Sequence, residues 1–448
     1  MIPLGILLAI LSIFAAGAGA TLLLWREAQP MLLGEMFAAS WLLGAGVVSL
    51  LLAVGGMLCA GWLLIALVGA VCFGLGWIGW RELRGGGRII LGMEAAPPWE
   101  RWLSLLVLAP IAYIAAVSFR DALAWDGLLI WESKAHQAFL SGGVLPASVF
   151  RDATRSWTHP SYPLYLPFTE LWVYLCVGDC HQGALKSVLP LFHIAAVALL
   201  WSGALRLHVR PGVAAVTAML MLFIPILNGF DWGLLHGYAD LPLAALYLGA
   251  VAGVLACQRD PSPGAWRLAA AFAALLPWVK QEGVILWAGL VLQAAWICGR
   301  RDWRRTAGFA LPGLAVWIGW RLAMLVLEAP QEEVFQPLTW ANLQAGLTRL
   351  GTVLRFMRYE LGLLDHWSLL WFLTPAALLC VALQRRREAP VLAAAIVLPL
   401  AFDVIPYLFT RLEPFQMHVA TSFKRLALQV ALVALLSVAL AFGSRREV

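Results

Sequence analysis

The sequence predicts an all-α, polytopic integral membrane protein, on three observations. Of the 448 residues, 62% are hydrophobic and only 12% charged, about half the charged share of an ordinary soluble domain, and the mean hydropathy is +0.82. The apolar residues gather into about thirteen stretches, most of them near the ~20 residues that a helix needs to cross hydrocarbon. The connectors alternate between short basic ones and longer mixed ones, the pattern that orients a membrane chain. A water-soluble fold of this length has too little interior for so much apolar surface. A soluble enzyme, a disordered chain and a nucleic-acid binder are thereby excluded.

In chain order the stretches are 3–25, 36–53, 57–80, 102–119, 188–205, 213–227, 241–256, 268–279, 284–297, 307–327, 369–383, 391–409 and 426–442. The first has no basic segment before it and no small-residue cleavage site after it, so it reads as a helix and not as a signal peptide. Seven cysteines are too few for a disulfide scaffold, and Cys59, Cys72, Cys257, Cys298 and Cys380 lie in or beside apolar runs, where a thiol behaves as a small hydrophobe. Cys176 and Cys180 are spaced so that a disulfide between them is conceivable but poorly served by helical geometry.

Orientation follows from the basic connectors: Arg81, Arg84 and Arg88; Arg206 and Arg210; Arg300, Arg301, Arg304 and Arg305; Arg385, Arg386 and Arg387; Arg445 and Arg446. These belong in the cytoplasm, which puts the N-terminus outside, the C-terminus inside, and the chain in a bacterial inner membrane as a multi-pass protein. On this assignment the inner side takes roughly 18 basic and roughly 9 acidic residues, so the acidic excess lies outside. The net charge of +6 then serves topology and says little about partners.

The assigned spans keep ionisable side chains out of their middles: Arg321 and Asp403 fall near outer ends, and His193 about one turn inside one. Ion-coupled transporters place such groups near the midplane. Here the polar chemistry is concentrated in two long outer loops, 120–187 and 328–368, and loops of that length are usually functional. In the first, 128–140 reads as an amphipathic surface helix with Leu129, Trp131, Ala135 and Phe139 toward the lipid edge, and 165–177 as a helix lying in the interface. In the second, 341–364 reads as a surface helix carrying Arg349, Arg355 and Arg358.

The densest polar group is Asp121 with Trp125 and Asp126, at the outer exit of the fourth stretch. It is either an interfacial turn with a helix-capping Asp or a carboxylate that takes a proton from an acceptor hydroxyl. A second acidic segment runs from Asp231 through Trp232, His236 and Tyr238 to Asp240, which opens a helix that its charge would favour. Lys280 and Glu282 occupy a tight outer turn, and His418, Lys424 and Arg425 precede the last stretch. Each cation serves either headgroup anchoring or the binding of a phosphate at headgroup level. The 23 tryptophans exceed what aromatic belts need; Trp125, Trp131, Trp157 and Trp232 are outer ones that could stack on sugars. There is no zinc spacing, phosphate loop, dinucleotide fingerprint or nucleophile elbow.

In this order of motifs the chain resembles the GT-C glycosyltransferases, membrane enzymes that use polyprenyl-phosphate sugars and include protein O-mannosyltransferases and lipid A aminoarabinose transferases. The motifs are Trp125-Asp126, the Tyr162-Pro163-Leu164 segment, the 239–243 stretch, the turn from Lys280 to Gly283, and His418 with Thr421, Ser422 and Arg425. The family's first acidic motif is often Asp-Glu or Asp-Asp, whereas Gly127 follows Asp126 here. The resemblance covers 101–448, leaving 1–100 as extra N-terminal transmembrane helices. It implies an inverting transfer to a glycan, lipid or protein acceptor at the periplasmic face. Asp126 would be the general base, with Asp121 the second occupant of that role, and Asp240 the supporting acid. Lys280, His418 and Arg425, with Arg321 and Lys134 behind them, would hold the donor lipid phosphate. A divalent metal has no ligand cluster to support it. Alternatives are a lipid or solute transporter or flippase, a non-catalytic scaffold subunit, and a ligase or polymerase using a diphosphate-linked glycan, for which Arg349, Arg355 and Arg358 would supply charge.

Overall fold

A computed structural model describes residues 2–26, 29–85, 88–94, 96–228, 234–299, 302–329 and 334–443. Expectations at Asp231, Trp232, Arg300, Arg301, Arg445 and Arg446 lie outside the described residues. The protein is about 79% helical with almost no strand. Among the described residues, nine helices are long and apolar enough to cross a membrane. They include Ile2–Trp25, Leu33–Gly55, Trp62–Arg84, Asp240–Arg259, Trp303–Val326 and Phe415–Gly443. Four of the predicted stretches form shorter helices instead: Pro211–Met219, Pro263–Val279, Gly283–Cys298 and Leu370–Leu383.

Two helices form the centre. Asp240–Arg259 and Phe415–Gly443 are 94% buried along their apolar windows, against 22% for Trp62–Arg84 and Trp303–Val326 at the periphery. Lipid is as apolar as leucine, so the peripheral helices carry exposed Trp62, Trp77 and Trp303 without penalty, and association rests on packing and on polar bonds between helices. Several such bonds join the first two helices to the remainder. The Tyr165 hydroxyl donates to the Leu42 carbonyl (2.8 Å), and the Trp172 and Trp278 indoles donate to Ser12 (2.8 Å) and Ser49 (2.9 Å). A two-residue parallel strand pair, Met31–Leu32 with Ile89–Ile90, ties the connectors on either side of the second and third helices.

The helix ends sort by chemistry. At one face the basic connectors interlock: Arg206 with Glu35, Arg259 with Glu388, and Arg267 with the Leu24 carbonyl. At the other, hereafter the loop face, the two long connections meet where Arg151 pairs with Glu328 (3.2 Å), and the second is joined by Phe335 to Thr410, just before the last helix.

Three local expectations change. The 128–140 segment is helical, as a π-helical turn Gly127–Glu132 followed by Ser133–Leu140, but it does not face lipid. Trp131 and Ala135 are fully buried, because Trp131 packs on Tyr162 at 5.6 Å. Tyr165–Val177 is likewise enclosed by protein, with every residue from Tyr165 to Tyr174 buried. Apolar periodicity is the same whether the apolar neighbour is lipid or another helix. The 341–364 segment breaks into Trp340–Leu347 and Leu350–Leu361, where Arg349 turns aside to pair with Glu413 (2.8 Å). Cys176 and Cys180 are free thiols.

Candidate functional site

Four elements deliver four charged side chains to one point at the loop face. Asp126 immediately precedes the π-helical turn, and its carboxylate makes no capping bond. Asp240 is the first residue of the Asp240–Arg259 helix, where a negative charge is favoured by the unpaired amides. Lys280 follows Val279, the end of a helix that contains Pro277, and leads through a turn into the helix beginning at Gly283. That turn is tight: a Cβ at Gly283 would stand 2.0 Å from the Leu276 carbonyl oxygen. Arg425 lies on the Phe415–Gly443 helix, which starts eleven residues before the predicted apolar stretch and runs without a break.

Gly127 explains how the two acidic segments meet. A Cβ there would fall 1.8 Å from the His236 carbonyl oxygen, and the Ala124 amide donates to that same carbonyl (3.1 Å). The bare α-carbon lets the backbones of the Asp126 and Asp240 segments touch, with Gly237 in the left-handed region (φ +88°) completing the turn. Any side chain at position 127 would be excluded by this contact.

The four side chains form one ion network. The Arg425 guanidinium bridges both acids, its Nη1 bonding Asp126 Oδ2 and its Nε bonding Asp240 Oδ2 at 3.1 Å. Lys280 Nζ donates to the other oxygen of Asp240 at 2.7 Å and stands 3.5 Å from Glu282 Oε1. Asp240 and Lys280 are almost wholly enclosed, with side chains 1% and 3% exposed, whereas Asp126 and Arg425 keep 15% and 16%. The accessible edge of the network is therefore the Asp126–Arg425 pair. The Arg425 guanidinium also lies 4.7 Å from the Tyr238 ring centroid, a cation–π contact. Burial, with the Asp126 carboxylate beside it, pushes the Tyr238 hydroxyl up to about 12, so it stays a phenol at neutral pH. Asp403 is buried beside Lys280 and Glu282.

Such a network is poor evidence of stabilisation, since stripping water from several charges costs about as much as their pairing returns. Its chemistry is more informative: a carboxylate and a guanidinium at the open edge, backed by an ammonium. A phosphate can replace a carboxylate on a guanidinium with the same paired geometry, and the released carboxylate is then a base.

The remaining candidates stand at varying distance. His418 is one layer out: its Nδ1 contacts Thr410 Oγ1 at 2.9 Å and its ring packs on Tyr407 at 5.2 Å, while the Tyr407 hydroxyl meets Ser422 (2.9 Å). Lys134 is buried and donates to the His159 carbonyl (2.8 Å), with the Tyr162 ring 5.7 Å away; Tyr162 is in turn an electrostatic neighbour of Arg425. Asp121 is outside the network, half-buried and paired with Arg120 at 3.3 Å. Arg321 is exposed and makes no ion pair among the described residues. Arg355 and Arg358 are exposed as well. Among the described residues no group of three His, Cys, Asp or Glu side chains could hold a metal ion.

Sequence reasoning missed two buried acids, Glu132 and Glu170. Glu132 accepts from the Tyr174 hydroxyl (2.7 Å), and neither Glu170 carboxyl oxygen has a hydrogen-bond partner among the described residues. The available signal was a glutamate inside the otherwise apolar run 165–177, an expensive placement in low-dielectric surroundings. No family model, curated protein or solved structure matches this chain.

Proposed function

We propose that this protein is a membrane glycosyltransferase of GT-C type, moving a sugar from a polyprenyl-phosphate donor to an acceptor hydroxyl with inversion. The observation that carries the reading is the bridge of Arg425 between Asp126 and Asp240, backed by Lys280. Depth supports it. The run of helix from Arg425 to Gly443 is about 27 Å long at ~1.5 Å per residue, close to the ~30 Å of a hydrocarbon core. With its far end at one boundary, Arg425 sits at the other, level with a lipid phosphate. The topology that goes with this is thirteen spans in a bacterial inner membrane, N-terminus outside, C-terminus inside, and the loop face toward the periplasm.

In this reading the donor phosphate takes over the Arg425 guanidinium and Asp126 is released. The acceptor oxygen attacks the anomeric carbon as the bond from that carbon to the phosphate oxygen breaks. The electron pair goes to the phosphate, where Arg425 and Lys280 stabilise it, and the hydroxyl proton goes to Asp126. No acid catalyst is needed, because a phosphate is already a good leaving group. Substituting Asp126→Asn keeps a hydrogen-bond acceptor for Arg425. It is expected to abolish transfer from a polyprenyl-phosphate sugar while the melting temperature stays within a few degrees of wild type. Full activity in that variant would end the assignment.

Glu132 and Glu170 favour a second reading, a proton-linked transporter, because paired buried acids are the usual means of carrying protons across apolar protein. Proteoliposomes that move a lipid-linked sugar across the bilayer, with flux lost in Glu170→Gln and kept in Asp126→Asn, would select it.

A further inference from the structure

The loop face carries a second concavity, mixed apolar and polar, beside the ion network and not part of it. It encloses about 130 Å³ and is lined by Leu129, Ser133, Lys134, Gln137, Arg155 and Trp157 among others. We propose that this cavity binds an acidic sugar ring of the acceptor, which makes the acceptor a glycan or glycolipid headgroup. The inference rests on the glycosyltransferase reading for the word acceptor, but the binding chemistry stands on the cavity alone.

Three features define the ligand. The Trp157 indole is 52% exposed and makes no ring contact among the described residues, so its face is open to stacking by the C–H face of a pyranose. The Gln137 carboxamide is half-buried and makes no hydrogen bond among the described residues; one acceptor and two donors fit a pair of neighbouring hydroxyls. Lys134 and Arg155 add positive charge to the wall. Lys134, 1% exposed, is turned onto the His159 and Thr158 carbonyls (2.8 and 3.4 Å) and lends its charge from behind the wall, and Arg155 is held through its Nε by Asp152 at 3.1 Å. Asp152 is itself occupied by the Thr154 amide and hydroxyl. An aromatic platform, a free carboxamide and two oriented cations match a sugar bearing a carboxylate or phosphate better than a peptide or an acyl chain.

Position fits the same role. The helical segment that begins after Asp126 supplies Leu129, Ser133, Lys134 and Gln137, so the cavity starts one turn from the proposed base. Asp126 to Ser133 is about 10 Å at helical rise, which leaves room for a neighbouring ring to present its hydroxyl to Asp126.

The test uses the full-length protein in lipid nanodiscs with methyl β-glucuronide and methyl β-glucoside as probes, read by saturation-transfer NMR and titration. Wild type should bind the glucuronide, through its ring protons, at least threefold tighter than the glucoside. Trp157→Ala and Gln137→Ala should each weaken glucuronide binding about tenfold, and Asp126→Asn should leave it unchanged. Wild-type binding in both cavity variants, equal binding of the two sugars, or no ring-proton signal would each overturn the proposal. Trp157 is exposed and Gln137 uncharged, and an unchanged melting temperature in both variants separates lost binding from lost folding. Cavity binding without any donor turnover would count against the enzyme reading alone. Donor turnover without cavity binding would count against this inference alone.

Discussion

Arg425 has two carboxylates to satisfy and does so through different nitrogens, Nη1 to Asp126 and Nε to Asp240. A lysine offers the charge but no fork, so Arg425→Lys should remain folded, with transfer falling about 10²-fold, the usual scale for removing one transition-state contact. Asp240 and Lys280 test a different property of the same network. Removing one partner leaves the other charged and buried, at a cost of about 3–5 kcal/mol. Asp240→Leu and Lys280→Met should therefore each destabilise strongly, and the double variant should be more stable than either single, as read by thermal unfolding in detergent. Additive losses would mean that the two groups do not share their burial. Most of this cluster was legible in the sequence, because Asp126, Asp240, Lys280 and Arg425 stand at the ends of apolar stretches, where a charge is affordable only with a purpose. That Asp121 and Arg321 stay outside was not legible. They occupy equivalent positions in the hydropathy profile, and only the rotation of a helix end decides which charge turns inward.

At the scale of elements, the decisive contacts are between backbones. Gly127 against His236 brings two loop segments together, and Gly127→Ala must push them apart. The expected result is a loss of about 1–3 kcal/mol, the range for overpacking, with transfer impaired well beyond what that loss explains. A thermal shift and a transfer assay on the same sample would show it; wild-type behaviour in both would mean that the segments need not touch. The sequence showed a glycine beside an aspartate but not the carbonyl waiting opposite. It also gave the periodicity of 128–140 without its environment, which is why Trp131 turned out to be buried by Tyr162. The π-helical turn at Gly127–Glu132 has no signature in residue type. The apolar helices themselves were plain, since about twenty apolar residues in a row admit few other fates.

Across the whole molecule, charge divides between two faces. Arg206–Glu35 and Arg259–Glu388 lie at one, Arg425–Asp126 and Arg151–Glu328 at the other. This separation is what the alternating basic connectors require, and it makes the proposed topology testable without any substrate. In a background lacking the native cysteines, a single cysteine at Ser156 should react with a membrane-impermeant maleimide in intact cells with a permeable outer membrane. A single cysteine at Arg387 should react only after the inner membrane is broken. The reverse pattern would invert the orientation, and labelling of both in intact cells would refute the spans between them.

The Phe415–Gly443 helix is fastened at two separated points. Its far end is gripped where the Arg210 amide donates to the Gly443 carbonyl (2.8 Å) and Arg386 donates to the Leu440 carbonyl (2.9 Å), and its first half is held by the two carboxylates on Arg425. It behaves as a tie rod, unable to slide without breaking bonds at both anchors. On the proposed reading, exchange of one anion for another on Arg425 would proceed by rotation of the side chain on a post that stays still. Such an exchange breaks side-chain bonds only and needs none of the slower motion of a whole helix. On the glycosyltransferase reading, any step that needs large movement would then fall to the loops or to the arrival of lipid, and not to this helix.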